Sequence, residues 1–306
     1  MFTKFKKFLT EKDRSDLTLK GYLSDLRSFA DWFEWKNDEK FSPESVTPTD
    51  LREYKQYQSK EKKYLANTIG RHFSSLNVYF NWAVSEKLIE TNPAKGIKSI
   101  KQTTTTPRWL DKKEQFALRR AMEKDLQIAR LRYPKRWAGR QRDFSMVTIL
   151  LNTGLRLAET VNLELGDIQL SERKGSVLVR HGKGDKQRRI PLNADARKAL
   201  QDWLEIRPKI SGNDFVFVAL ESEANGSLSH RTVQRIVRRY GQDAGLPDLS
   251  PHILRHTFAK NLVNNGVSLE KVAALLGHSS LETTRIYITP SAQDLAQAVS
   301  KLEIQS

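Results

Sequence analysis

Five basic side chains and one tyrosine in this 306-residue sequence stand in local settings that would gather a phosphate group. Arg156 follows Thr153-Gly154-Leu155 and opens a helix through Leu157, Val161 and Leu163, so its guanidinium sits near a helix N-terminus, where anions are favoured. The same arginine could instead pair with Glu159, one turn along the helix. Ser250-Pro251 caps a helix that carries His252 and Arg255, and their i, i+3 spacing puts both on one face. A solvated polar face is the alternative there, and His256 with Phe258 is expected to turn toward the core. Leu275-Leu276-Gly277 ends an apolar helix at His278, and Ser279 with Glu282 reads as the capping box of the next one. Tyr287 would then lie about two turns into that second helix, as a reactive phenol or as a core residue of a helix-turn-helix. Lys183 stands at the tip of Gly182-Lys183-Gly184-Asp185, where it either stays exposed or reaches into a groove to deliver a proton.

These residues need a scaffold, and periodicity supplies one. Between Val177-Val179 and Ile190-Leu192 the polar glycine-lysine stretch reads as the turn of a β-hairpin, and Phe215 to Val218 reads as a further short strand. A helix is expected from Leu110 to near Leu126, then a loop crowded with Arg130, Arg132, Lys135, Arg136, Arg140 and Arg142, then a helix with Met146, Val147, Ile149, Leu150 and Leu151 that stops at Gly154. Upstream, Tyr22, Leu23, Leu26, Phe29, Ala30 and Phe33 form one helical stripe. Thr47-Pro48 announces a second helix through Leu51 and Tyr54, and Ile69, Phe73, Leu76 and Phe80 mark a third from near Asn67. Lys62, Lys63, Arg71 and His72 are expected to face solvent, the first three as candidates for binding DNA. Beyond Asn92-Pro93 the pattern is lost; the linker that follows carries Lys98 and Lys101, further candidates for phosphate contact in what could equally be a solvated tether.

Composition narrows the partner. Lysine and arginine number 52 against 36 acidic residues, a formal net charge of +16, so a polyanion is expected and binding should weaken with salt. Acidic lipid is the competing reading of that charge, but no apolar run approaches the roughly 18 residues a membrane span needs. The absence of cysteine excludes disulfides, thiol nucleophiles and thiolate metal sites. Met1 to Thr10 mixes lysines with aromatics and lacks the continuous apolar core of a secretion signal, so a cytoplasmic protein is expected.

Taken together, Thr153-Gly154-Leu155-Arg156 with Glu159, Gly182-Lys183-Gly184-Asp185-Lys186, His252-Ile253-Leu254-Arg255-His256, Leu276-Gly277-His278 and Tyr287 resemble, in order and spacing, the motifs of tyrosine recombinases, particularly Xer-type recombinases and phage integrases. The resemblance covers about residues 110 to 290. It implies a mainly α fold with a small antiparallel sheet: an all-α core-binding domain (1–100), a linker (101–110), a mixed α+β catalytic domain (111–290) and a tail helix (291–306), the two domains clamping duplex DNA like a C. It further implies that Arg156, Lys183, His252, Arg255 and His278 surround a scissile phosphate, Glu159 in support, and that Tyr287 attacks it to form a 3′-phosphotyrosyl link. In that scheme His252 takes the phenol proton, the arginines and His278 stabilise the oxygens, and Lys183 protonates the departing 5′-oxygen. No cofactor or metal is implied. The partners would be a recombination site on double-stranded DNA, further copies of the chain in a tetramer on two duplexes, and accessory proteins. The tail stripe of Leu295, Val299 and Leu302 would dock on a neighbouring copy or on its own core. A type IB topoisomerase, or a DNA-binding regulator of the same fold that has lost activity, remains the alternative.

Overall fold

Thr47 and Pro48 set the pattern for how this chain starts its helices. The Thr47 hydroxyl accepts from the Asp50 amide, the Asp50 carboxylate accepts from the Thr47 amide, and proline fills the first helical turn, where no intrahelical donor is missed. Asp111 with Glu114, Asn193 with Ala196, Ser229 with Thr232 and Ser250 with Ile253 cap four later helices with side-chain oxygens on backbone N–H groups. The computed structural model describes residues 2–12, 16–97, 107–134, 137–180, 187–220, 226, 228–278, 280–288 and 299. Lys98, Lys101, Lys135, Arg136, Lys183, Ser279, Leu295 and Leu302 lie outside the described residues. The chain divides into two compact units, Met1–Thr104 and Thr105–Ser306.

In its described residues the first unit is all-helical: α1 (Phe2–Glu11), α2 (Asp16–Asn37), α3 (Pro48–Lys60) and α4 (Ala66–Ser85). The opening segment, with its lysines among aromatics, is a helix in which Phe5 and Leu9 fall one turn apart and bury completely. Aromatic rings fill the core, with Phe29 edge-on to Tyr54 at 5.0 Å and Phe5 edge-on to Tyr79 at 5.1 Å. Asp25 enters this core with only 4% of its side chain exposed. It accepts from Arg71 and, at 2.7 Å, from the Ser75 hydroxyl, and lies 3.5 Å from the His72 ring. His72 is therefore buried, not solvent-facing, and burial lowers its pKa. Arg71 keeps an exposed side chain but spends its charge on Asp25; Lys62 and Lys63 are exposed, Lys62 with its ammonium 5.5 Å from the Tyr57 ring.

The second unit contains a three-stranded antiparallel sheet, β1 (Ile168–Leu170), β2 (Gly175–Val179) and β3 (Arg188–Pro191), in that order, with Val177 opposite both Ile168 and Ile190. Helices α5 (Lys112–Arg132), α6 (Ala138–Thr153), α7 (Leu157–Val161), α8 (Ala194–Leu204), α9 (His230–Asp243), α10 (Pro251–Asn264), α11 (Leu269–Leu276) and α12 (Glu282–Arg285), with a 3-10 turn at Leu165–Asp167, complete its described elements. The expected arginine-rich loop is largely helix. Arg130 and Arg132 form the last turn of α5, where cations suit the helix dipole, and Arg140 and Arg142 lie in α6. Arg142 donates to the Asp143 carboxylate and the Val218 carbonyl, and Arg130 stacks on Trp137, so these arginines tie the fold together. Val216, Phe217 and Val218 are fully buried, and among the described residues Phe215 to Val218 makes isolated bridges, one from Phe215 to Glu164, rather than a strand of the sheet. Among the described residues no helix is long and apolar enough to cross a membrane.

Arg71→Ala would leave the Asp25 carboxylate buried without its guanidinium. The expected cost is about 3 kcal/mol of folding stability, read by urea unfolding; a change within the small range of ordinary surface substitutions would mean that Asp25 does not depend on this pair.

Candidate active site

The site is built around the end of α11. This helix stops at Gly277 in the left-handed conformation (φ 65°), and like any helix it leaves its last carbonyls without intrahelical donors. Three arginines from three other segments fill them. Arg188 Nε donates to Leu275 O at 2.9 Å, Arg255 Nη2 to Leu276 O at 2.7 Å, and Arg156 Nη2 to Gly277 O at 2.9 Å.

Each arginine reaches this point for a local reason. Gly154 ends α6, also left-handed at φ 62°, and a Cβ there would run into the Phe258 ring. The tight turn delivers Arg156 as the extended residue before α7, where its amide donates to Glu159 Oε2 at 2.7 Å and its Nη1 to Glu159 Oε1 at 2.9 Å. The pair with Glu159 and the phosphate-facing placement are thus compatible, for a third of the Arg156 side chain stays exposed. Arg255 is carried inward by α10 and also donates to Gly154 O, so it joins the end of α6 to the end of α11. Arg188 opens β3 two residues before the buried Ile190, which places it on the inward face of the strand.

His278 follows Gly277 directly, and its Nδ1 lies 2.8 Å from the buried Thr284 hydroxyl. Burial, then the nearby Arg255, Arg156 and Arg188, lower its pKa to about 4. The Glu282 amide donates to the Ser280 hydroxyl oxygen, and α12 ends at Arg285, so Tyr287 sits in the turn after a short helix rather than two turns inside a long one. The ring is 1% exposed, packed with Ala259, Val272 and Leu276, and its carbonyl accepts from Lys260. Its hydroxyl shares a 2.7 Å hydrogen bond with His256 Nδ1. Burial raises the pKa of the phenol against the opposing pull of Arg255. Burial, then His252 and Arg255, push His256 down to about 4. Arg255 itself is lowered to about 10 by burial and by Arg156.

The structure therefore brings together Arg156, Glu159, Arg255 and His278, with Tyr287 beside Arg255's field and on His256. His252 is exposed at the start of α10, one turn before His256. Arg188 and Thr284 were not singled out from the sequence, and His256 was read there only as turning toward the core. An arginine on the inward face of a strand was the available signal for Arg188; the partner of His256, Tyr287, lies 31 residues along the chain, and nothing in the local pattern marked Thr284, although His278 is only six residues away. Such a cluster suits an anionic, tetrahedral ligand: one part-exposed guanidinium, one buried one and an imidazole at one helix end, with a buried phenol held nearby.

The Phage integrase family model matches residues 110–294, and the model of the phage integrase N-terminal SAM-like domain matches residues 1–90. The tyrosine recombinase XerC of Corynebacterium efficiens is 35% identical over 288 residues, covering 93% of this chain and 84% of that protein. XerC of Thermodesulfovibrio yellowstonii is 32% identical over 299 residues, covering 95% and 91%. Among solved structures, the XerH site-specific recombinase bound to a palindromic difH substrate in a post-cleavage complex is 25% identical with a TM-score of 0.75, covering 94% of this chain and 80% of that one. The Tn1549 transposon integrase in complex with circular intermediate DNA shares the fold, with a TM-score of 0.72 at 22% identity, covering 98% and 97%. With both units matched in order and XerC relatives aligned along nearly the whole chain, this protein belongs to the phage integrase family of site-specific tyrosine recombinases and is of the Xer type.

Proposed function

We propose that the chain cleaves and rejoins double-stranded DNA at a specific site, with Tyr287 as nucleophile and a 3′-phosphotyrosyl intermediate. The observation that carries this reading is the convergence of Arg156, Arg255 and His278 on the end of α11, with the Tyr287 phenol beside Arg255. In the attack, the Tyr287 oxygen bonds to phosphorus, the bond to the 5′-oxygen breaks, and the guanidiniums stabilise charge growing on the non-bridging oxygens. With Nδ1 accepting from the Thr284 hydroxyl, neutral His278 keeps its proton on Nε2 and donates to the same oxygens. Lys183, which the family resemblance assigns as the acid, would protonate the leaving 5′-oxygen. A 5′-hydroxyl from a partner strand then reverses the step; one ester replaces another, so no external energy source is needed.

The phenol's proton needs an acceptor. His256 touches the hydroxyl, but a ring whose pKa is near 4 is far too weak a base to take a proton from a phenol whose own pKa is raised. His256 accordingly holds Tyr287 in place, and attack requires the hydroxyl to leave it. His252, exposed one turn earlier on α10, keeps the role of acceptor. Each chain carries one such nucleophile, and exchanging both strands of two duplexes takes four cleavages, so four copies acting on two duplexes is the matching assembly. The excess of positive charge supplies the sequence-independent part of DNA affinity.

Nicked suicide duplexes with a randomised core test the reading: wild type is expected to form an adduct that survives denaturing electrophoresis, and Tyr287→Phe none. Arg156→Ala is expected to slow adduct formation about a hundred- to a thousand-fold. Absence of any wild-type adduct would instead favour an idle DNA-binding regulator, and vigorous relaxation of plasmids without a recombination site would favour a topoisomerase.

The buried imidazoles also set a pH dependence. His256 and His278 titrate lower in the folded chain than in the unfolded one, so between about pH 6.5 and pH 4 the unfolded state binds more protons and stability falls as the pH falls. The drop in melting temperature from pH 7 to pH 5 is expected to be smaller in His256→Asn than in wild type; an equal drop in both would show that His256 is not held neutral.

A further inference from the structure

Of the three arginines on the carbonyls of Leu275, Leu276 and Gly277, two belong to the phosphate site proposed above, and the third, Arg188, has no part in that scheme. We propose that Arg188 is a positioning residue for strand cleavage: its planar fork clamps Glu159 to the end of α11 and so sets where Arg156 and His278 meet the phosphate. The inference rests on the reading of this cluster as the phosphate site.

The geometry uses every edge of the guanidinium. Nη1 donates to Glu159 Oε1 at 2.9 Å, Nη2 to Glu159 Oε2 at 2.7 Å, and Nε to Leu275 O at 2.9 Å. Each Glu159 oxygen serves a second donor, Oε1 the Arg156 side chain and Oε2 the Arg156 amide. Arg188, Glu159 and Arg156 thus form one continuous relay that begins and ends on α11, at Leu275 and at Gly277. The Arg188-Glu159 half of the relay is nearly dry, with 11% and 7% of the two side chains exposed, so solvent screens it little. Gly277 completes the fit, because a Cβ there would stand 2.8 Å from Arg188 Nη1.

Charge gives the arrangement a purpose beyond holding the fold. A lone Glu159 would neutralise Arg156 and draw its guanidinium toward itself, leaving less field for an incoming phosphate. With Arg188 taking both carboxylate oxygens, the Arg188-Glu159-Arg156 group keeps a net positive charge while Glu159 still orients Arg156. Glu159 is held ionised: burial opposes its charge, but the hydrogen bonds from Arg188 and Arg156 outweigh that and keep its pKa below the ordinary carboxylate value. Lysine would restore the charge but cannot reach three acceptors in one plane, so geometry and charge are separable.

The experiment compares full-length wild type, Arg188→Lys, Arg188→Gln and Tyr287→Phe on the nicked suicide duplexes at saturating DNA, with circular dichroism melts, duplex affinity by fluorescence anisotropy and the His278 titration by NMR on each. Both Arg188 variants are expected to stay folded and to bind duplex as wild type does, while the first-order rate of adduct formation falls about 10- to 100-fold. The His278 midpoint is expected to rise in Arg188→Gln, which loses a neighbouring cation, and to hold in Arg188→Lys. A wild-type rate of adduct formation in folded Arg188→Lys overturns the inference, as does a loss of rate that only tracks the unfolded fraction in both variants. If wild type itself forms no more adduct than Tyr287→Phe, the reading of the site fails and takes this inference with it; if wild type reacts and Arg188→Lys matches it, this inference alone fails.

Discussion

A helix that ends in a left-handed glycine leaves carbonyls pointing out of its last turn, and the negative end of its dipole points the same way. In this chain Leu275, Leu276 and Gly277 present those oxygens to Arg188, Arg255 and Arg156, which arrive from β3, α10 and the turn before α7. Cations would repel one another if gathered in the open. Here each is bound first to a fixed partial negative charge, and the residual field is directed outward where Arg156 remains exposed. Most other features of the second unit follow from the need to bring these three segments to one helix end.

The tight turns at Gly154 and Gly277 are part of the same requirement. At Gly154 the Phe258 ring closes on the backbone, and at Gly277 the Arg188 guanidinium does, so both positions need a positive φ and room that a Cβ would take. Crowding positive charge has a consequence for the imidazoles. His278 and His256 stay neutral at physiological pH because burial and neighbouring cations both disfavour their protonated forms. Neutral rings can act as hydrogen-bond partners of a phenol or an oxyanion without adding to the repulsion.

The first unit is built differently, with a core of aromatic rings. Among its described residues the buried carboxylate is Asp25 of α2, and its partners all come from α4: Arg71, Ser75 and the His72 ring. An arginine that reads as a surface contact is thereby drawn into the fold, and a histidine that reads as polar face becomes core. The arginines in the last turn of α5 and in α6 behave likewise, with Arg142 bound to Asp143 and Val218 and Arg130 laid on Trp137. A run of arginines in a sequence carries no sign of which charges are already spent.

Local signals were decisive wherever the physics is local. Thr47-Pro48 and Ser250-Pro251 start helices because their side chains cap the nearest backbone donors, Gly154 and Gly277 stop helices because glycine alone enters the left-handed region cheaply, and alternation around Val177 and Ile190 pairs two strands. The order of the motifs around Arg156, His252-Arg255, His278 and Tyr287 was enough to indicate the family. What the sequence could not carry were interactions between residues far apart along the chain: Asp25 reaching His72, Arg188 reaching Glu159 and Leu275, and Tyr287 resting on His256. Spacing along one helix or strand ranks candidate side chains, but a buried charge or phenol takes whichever partner the packing delivers. Burial decides whether a cation is spent or available, and only the tertiary structure sets burial.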